Sequence, residues 1–139
     1  MSVVPAGPID HIGIAVRDID ASCATYQDLL GAELSGREKL PGQGVEVAFL
    51  RLPGHTRVEL VSPLGDDGAV AEFLAKRGEG IHHICVQVED IEAALAELAE
   101  HGVAVVDEVP RAGAEGSRIA FLHPAALGGV LLELKEKVG

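Results

Sequence analysis

Two histidines and two glutamates stand at matched positions in this chain. His11 lies in IDHIGIAVRDI (Ile9–Ile19) and His83 in IHHICVQVEDI (Ile81–Ile91). A shift of 72 places carries Ile9 onto Ile81, His11 onto His83, Ile12 onto Ile84, Val16 onto Val88 and Asp18 onto Asp90. Ile19 falls on Ile91 and Ala21 on Ala93. Such a repeat reads as two copies of one supersecondary unit, neither able to bury its apolar face alone. Glu59 lies in RVELV and Glu133 in LLELK, each in the strand expected to close its own copy. Val58 and Leu60, like Leu132 and Leu134, suit a packed side, so strand alternation turns Glu59 and Glu133 to the opposite face, with His11 and His83. Alone, a strand histidine is more often a structural hydrogen-bonding residue and a glutamate a solvated charge. Two imidazoles and two carboxylates on one face form a donor set for a divalent metal. Without thiolate, it suits Zn, Co, Mn, Ni or Fe(II) equally.

The elements that must carry these residues follow in order. Ile12, Ile14 and Val16 alternate with His11, Gly13 and Ala15 as a strand does. Asp18 is placed to cap a helix running to about Leu30, with Gly31 as its stop and Cys23, Tyr26, Leu29 and Leu30 as its buried stripe. Strands are expected near Ala32–Leu34, Val45–Leu52 and Arg57–Val61, separated by PGQG and PGH turns. GAVAEFLAKR (Gly68–Arg77) reads as a connecting helix. The second copy repeats the scheme, with Ile84, Val86 and Val88 on one side of a strand and His83, Cys85 and Gln87 on the other. Asp90 then caps a helix to about Glu100, and strands follow near Val103–Val106, Arg118–His123 and Gly129–Lys135. The expectation is a single domain over 1–139. Its repeat covers about 8–66 and 80–136, joined by a helix at about 68–77, each copy being βαβββ in an α+β fold with helices on one sheet face.

Composition narrows the partners. The 139 residues make one ordinary domain, and a net charge of −11 argues against nucleic acid and anionic membrane surfaces. No apolar run reaches the roughly 18 residues of a membrane span, and the N-terminus lacks a basic signal region. Cys23 and Cys85 form neither a disulfide framework nor a CxxC site, and read as reduced core residues of a cytoplasmic protein. Among the other histidines, His82 should face the packed side, and His55 and His101 suit a turn and a helix end. His123, before Pro124, suits either a turn cap or the border of the site.

From about Ile9 to Leu134 the chain resembles the vicinal-oxygen-chelate (glyoxalase) superfamily, and more closely its methylmalonyl-CoA epimerase family. The marks are IDHIGIAV, then VELVSPLGDDGAVAEFLAKRGEGIHHICVQVEDI, then GSRIAFLHP and GGVLLELK. The resemblance implies a curved, cup-like mixed sheet and a divalent metal, Co2+ first and Zn2+, Mn2+ or Ni2+ next, on His11, Glu59, His83 and Glu133. It implies an acyl-CoA substrate epimerised at C2 through an enolate whose charge the metal stabilises, and a homodimer; Glu133 and Glu59, both beside the metal, are the candidates for the carboxylates that transfer the proton. An acidic chain must meet the anionic coenzyme with local cations, and Arg111, Arg118, Lys76 and Arg77 are the candidates. One departure stands out. Some family members carry Gln at the position of Glu59 and a proposed catalytic Glu at that of Val47, and here the adjacent Glu46 should face the other way. The four metal donors equally suit glyoxalase I, an isomerase of glutathione hemithioacetals, from which the SPLGDDGAVAEFLAKRGEG connection separates this chain. Metal-free, drug-sequestering relatives on the same fold have usually lost the donor set that this chain retains.

Overall fold

The computed structural model describes residues 2–138, which form two compact units. One runs from His11 to His82, and the other joins the described residues up to Asp10 to those from His83 onward. The first unit contains β1 (Ile9–Ala15, entering it at His11), α1 (Ile19–Leu30), β2 (Glu33–Leu40), β3 (Val45–Arg51), β4 (Arg57–Pro63) and α2 (Ala69–Arg77). Its strands lie in the order β2-β3-β4-β1, with β1 parallel to β4 and the other neighbours antiparallel. Asp18 caps α1 by accepting a hydrogen bond from the Ala21 amide at 3.0 Å, and Gly31 ends the helix in the left-handed region, φ 67°. Ile19 and Cys23 of α1 pack on Ala48, Leu50, Val58 and Leu60, the helix-facing side of β3 and β4. Burial pushes the Cys23 thiol pKa up, which keeps it protonated and unreactive.

The expected stripe of α1 is only partly realised. Tyr26 joins the cluster, but Leu29 and Leu30 are exposed, 77% and 59%. Leu29 lies about 120° around the helix from Cys23, at 100° per residue. Leu30 is the last helical residue before the chain turns at Gly31.

The second unit contains β5 (Gly80–Val88, entering it at His83), α3 (Ile91–Glu100), β6 (Arg111–Ala112), β7 (Arg118–Leu122) and β8 (Leu132–Glu136). The order is β5-β8-β7-β6, again with one parallel pair, β5 and β8. Asp90 caps α3 through the Ala93 amide at 3.0 Å, as Asp18 does in the first copy. Ile91, Leu95 and Leu98 pack on Ala120, Leu122 and Leu134. The βαβββ reading therefore holds in each unit. Because the two caps are equivalent, Asp18→Ala and Asp90→Ala should each destabilise the protein by about 1 kcal/mol. Urea titrations would check this, and a change in one alone would break the equivalence.

One expected strand does not form. Residues 103–106 make a single bridge, Val105 to Leu122, and the regular pairing comes later as two-residue β6. The 72-place shift sets β2 against residues 105–112, a stretch interrupted by DEVP. There Pro110 has no N–H to give a ladder. Val106 and Asp107 both donate to the Phe121 carbonyl, at 2.9 and 3.2 Å, and the Asp107 carboxylate takes the Phe121 N–H at 2.9 Å. A side chain thus does the work of a backbone carbonyl, and the edge strand is split.

Candidate metal centre

Strand register delivers one His–Glu pair in each unit. In the first, Gly13 of β1 lies opposite Glu59 of β4, and His11, two residues earlier, shares that face. His11 Nε2 stands 3.5 Å from Glu59 Oε1, with the side chains 4% and 8% exposed. In the second, Cys85 of β5 lies opposite Glu133 of β8, and His83 Nε2 is 3.2 Å from Glu133 Oε1, with side chains 4% and 9% exposed. Four ionisable side chains this deeply buried need a compensating charge or hydrogen bonds. The two N···O distances fit either a hydrogen bond or two donors on one ion. Ligands at about 2.1 Å from a metal, 90–109° apart, stand roughly 3.0–3.4 Å from each other.

A phenylalanine backs each histidine. Phe49 of β3 lies opposite Glu59 and meets the His11 ring edge-on, centroids 5.5 Å apart at 80°. Phe121 of β7 lies opposite Glu133 and meets His83 the same way, at 5.6 Å and 88°. Each ring thus limits the rotation of an imidazole and keeps water from one side of it. Both belong to Ala-Phe-Leu triplets, 48–50 and 120–122, which also obey the 72-place shift. That signal was present in the sequence and was not among the predicted site residues. A guanidinium lies over each ring in turn: Arg57 over Phe49 at 4.2 Å and Arg111 over Phe121 at 5.8 Å.

The remaining candidates fall elsewhere. Glu46 pairs with Arg37 at 2.9 Å, and its neighbour across the strand is Ser62, so it faces away from Glu59 as expected. Asp20 and Glu46 together raise the Arg37 pKa, which secures its charge. Val47, buried at 2% exposure, is the β3 residue on the Glu59 face beside Phe49. Arg118 is held by Glu92 and Glu136 against α3, at 2.9 and 3.2 Å, with its pKa raised chiefly by the Glu92 hydrogen bond. Lys76 and Arg77 are exposed in the last turn of α2, where cations complement the helix dipole. Arg111 is exposed and meets Asp107 at 3.6 Å.

His82 packs edge-on against Phe73 of α2. His101 caps α3, and its Nδ1 lies 2.8 Å from the Glu97 carbonyl. His55 sits exposed in a turn at φ 67°. His123 accepts from the Ala125 amide at 3.0 Å, which makes it a turn cap. The sequence reading also missed a charged network on the His83–Glu133 face. There Lys135 Nζ lies 3.3 Å from both Asp10 carboxylate oxygens, and Gln87 donates to Asp10 at 3.0 Å.

Comparison with known proteins defines the class first. Residues 10–121 match the glyoxalase/bleomycin resistance protein/dioxygenase superfamily. The chain therefore belongs to this superfamily, and it has the α+β fold of paired βαβββ modules that its repeat predicted. Its resemblance to methylmalonyl-CoA epimerases also holds over nearly its whole length. It is 44% identical over 132 residues to the ethylmalonyl-CoA/methylmalonyl-CoA epimerase of Cereibacter sphaeroides, covering 94% of this chain and 98% of that protein. It is 42% identical over 136 residues to the human mitochondrial methylmalonyl-CoA epimerase, covering 97% and 77%. A solved Streptomyces coelicolor methylmalonyl-CoA epimerase variant, in complex with 2-nitronate-propionyl-CoA, matches with a TM-score of 0.91 at 40% identity over 97% of each chain.

Proposed function

We propose that this protein is a metal-dependent epimerase that interconverts (2R)- and (2S)-methylmalonyl-CoA by moving a proton at C2. His11, Glu59, His83 and Glu133 would hold one divalent ion, Co2+ first, with Zn2+, Mn2+ or Ni2+ as alternatives. What supports the reading most is the repetition of one His–Glu pair at the same register in both units, each histidine backed by a phenylalanine. The relatives at 40–44% identity supply the substrate class.

The donor set fits the ion. Two neutral imidazoles and two carboxylates carry two negative charges, enough to balance a divalent cation, and no thiolate biases the choice. When bound, the ion would supply Lewis acidity, stabilising the negative charge that develops on the thioester oxygen as the C2 proton leaves. The chain's own groups do the rest. Each of Glu133 and Glu59 would leave the ion while it carries a proton: the one that enters the step as a carboxylate accepts the C2 proton, and the one that enters it protonated returns a proton to the opposite side of the carbon. Phe49 and Phe121 hold the imidazoles and thin the water around them, which strengthens each electrostatic contact. We extend the proposal to a homodimer in the cytoplasm, in line with the resemblance and with Cys23 and Cys85 as buried free thiols.

Deuterium uptake at C2 in D2O, followed for both epimers, tests the proposal. Chelated protein should exchange at background rate and recover on addition of Co(II), with interconversion of the epimers. Absence of exchange with the metal bound would reject the epimerase, and a glutathione hemithioacetal assay would then address glyoxalase chemistry.

A further inference from the structure

We infer that Asp107, and at the matched place of the other unit Ser35, are positioning residues that fix the phenylalanine behind each candidate metal histidine; the part that concerns the metal rests on the functional reading above. Positions 35 and 107 are 72 apart, the offset that also relates Phe49 to Phe121 and His11 to His83. In the second unit the Asp107 carboxylate divides its two oxygens. Oδ2 accepts the Phe121 N–H at 2.9 Å, and Oδ1 lies 3.6 Å from Nε of Arg111, whose guanidinium stands 5.8 Å from the centre of the Phe121 ring. In the first unit Ser35 Oγ donates to the Phe49 carbonyl at 3.2 Å. Two different side chains thus reach the backbone of the same repeated phenylalanine.

Both residues stand at an irregularity of the edge strand. The pairing of β2 with β3 slips between Leu34 and Gly36, which leaves Ser35 as the extra residue beside Phe49. Val106 and Asp107 both give their N–H to the Phe121 carbonyl, at 2.9 and 3.2 Å, two residues to one as at a bulge. A bulge releases one residue from the ladder and re-aims its side chain. Here, in each copy, that side chain turns back onto the strand carrying the phenylalanine. What it controls is close at hand. Phe121 meets the His83 ring edge-on at 5.6 Å, and Phe49 meets His11 at 5.5 Å, so a shift of either phenylalanine backbone carries its ring along the imidazole. Asp107 therefore acts on His83 through Phe121, one step outside the groups that would hold an ion.

The test reads the imidazole C–H resonances of the metal-free protein by NMR, assigned through His11→Gln and His83→Gln, and then titrates the same samples with Co(II). Asp107→Ala should shift the His83 resonances and leave those of His11 in place, because the neighbouring aromatic ring sets the local field. It should also weaken Co(II) binding about tenfold, the low end for loss of an outer partner. Asp107→Asn keeps an oxygen for the Phe121 N–H and removes the charge, so His83 and the Co(II) affinity should stay close to wild type. Ser35→Ala should do the reverse of Asp107→Ala, shifting His11 and sparing His83. It leaves no backbone N–H unpaired, so it carries the test if Asp107→Ala does not fold. Histidines that stay in place in the folded alanine variants, or that move together, would reduce both positions to edge-strand stability and overturn the proposal. So would an asparagine variant that behaves as alanine does, since charge and not the hydrogen bond would then be the cause. A wild type that binds no Co(II) would remove the functional reading, and the NMR comparison alone would then decide the positioning role.

Discussion

Replacing Glu133 by Gln should slow C2 proton exchange by about three orders of magnitude while the metal stays bound. The amide has nearly the shape of the carboxylate and keeps an oxygen donor, but it cannot accept a proton at neutral pH. General-base contributions of about 10²–10⁴ set the scale. Metal retention is reasonable because the family resemblance implies that Gln serves at the equivalent position of the other unit, where this chain has Glu59. The surroundings favour a clean substitution too. Glu133 is held in β8 between Cys85 and Phe121, and its 7% exposure leaves little room for an altered side chain to move. The experiment pairs a deuterium-exchange rate with metal analysis of the same sample. Turnover near wild type would remove Glu133 as a base. Lost metal would instead make its ligand role the dominant one.

The sequence carried the frame of this site because the frame is repeated. His11 and His83 share one offset, as do the caps Asp18 and Asp90, and strand alternation alone placed Glu59 and Glu133 on the histidine side. Phe49 and Phe121 were equally legible at that offset, but apolar residues in strands read as core unless the register shows which face they occupy. Arg57 was harder to find. Its position over Phe49 depends on the pairing of β3 with β4, a contact between residues whose types carry no local signal. The split edge strand at 103–112 escaped because Val103–Val106 has good strand propensity, whereas its pairing is decided further along, by Pro110 and by the Asp107 carboxylate. Propensity is a local quantity, and each of these misses was settled by a partner elsewhere in the chain.

That dependence on register makes Val47 the most instructive position for a second base. β3 places Val47 opposite Val61 and Phe49 opposite Glu59, so Val47 and Glu59 lie on one face of neighbouring strands, one side-chain step apart. The resemblance implies that some family members carry Glu at the first position and Gln at the second, whereas this chain has the acid at the second. A proton-transferring carboxylate can therefore have moved across the strand pair without leaving the face. Glu59→Gln should lower epimerisation by about 10²–10⁴ while one epimer continues to exchange its C2 proton with solvent, since one base remains. Adding Val47→Glu should restore interconversion to within about tenfold of wild type. It should also lower the melting temperature, because a carboxylate replaces a side chain at 2% exposure. Both epimers can be followed together by NMR in D2O. A folded, metal-loaded double variant no faster than Glu59→Gln would show that the two positions are not interchangeable. It would also mean that Glu59 acts through the metal rather than on the substrate proton.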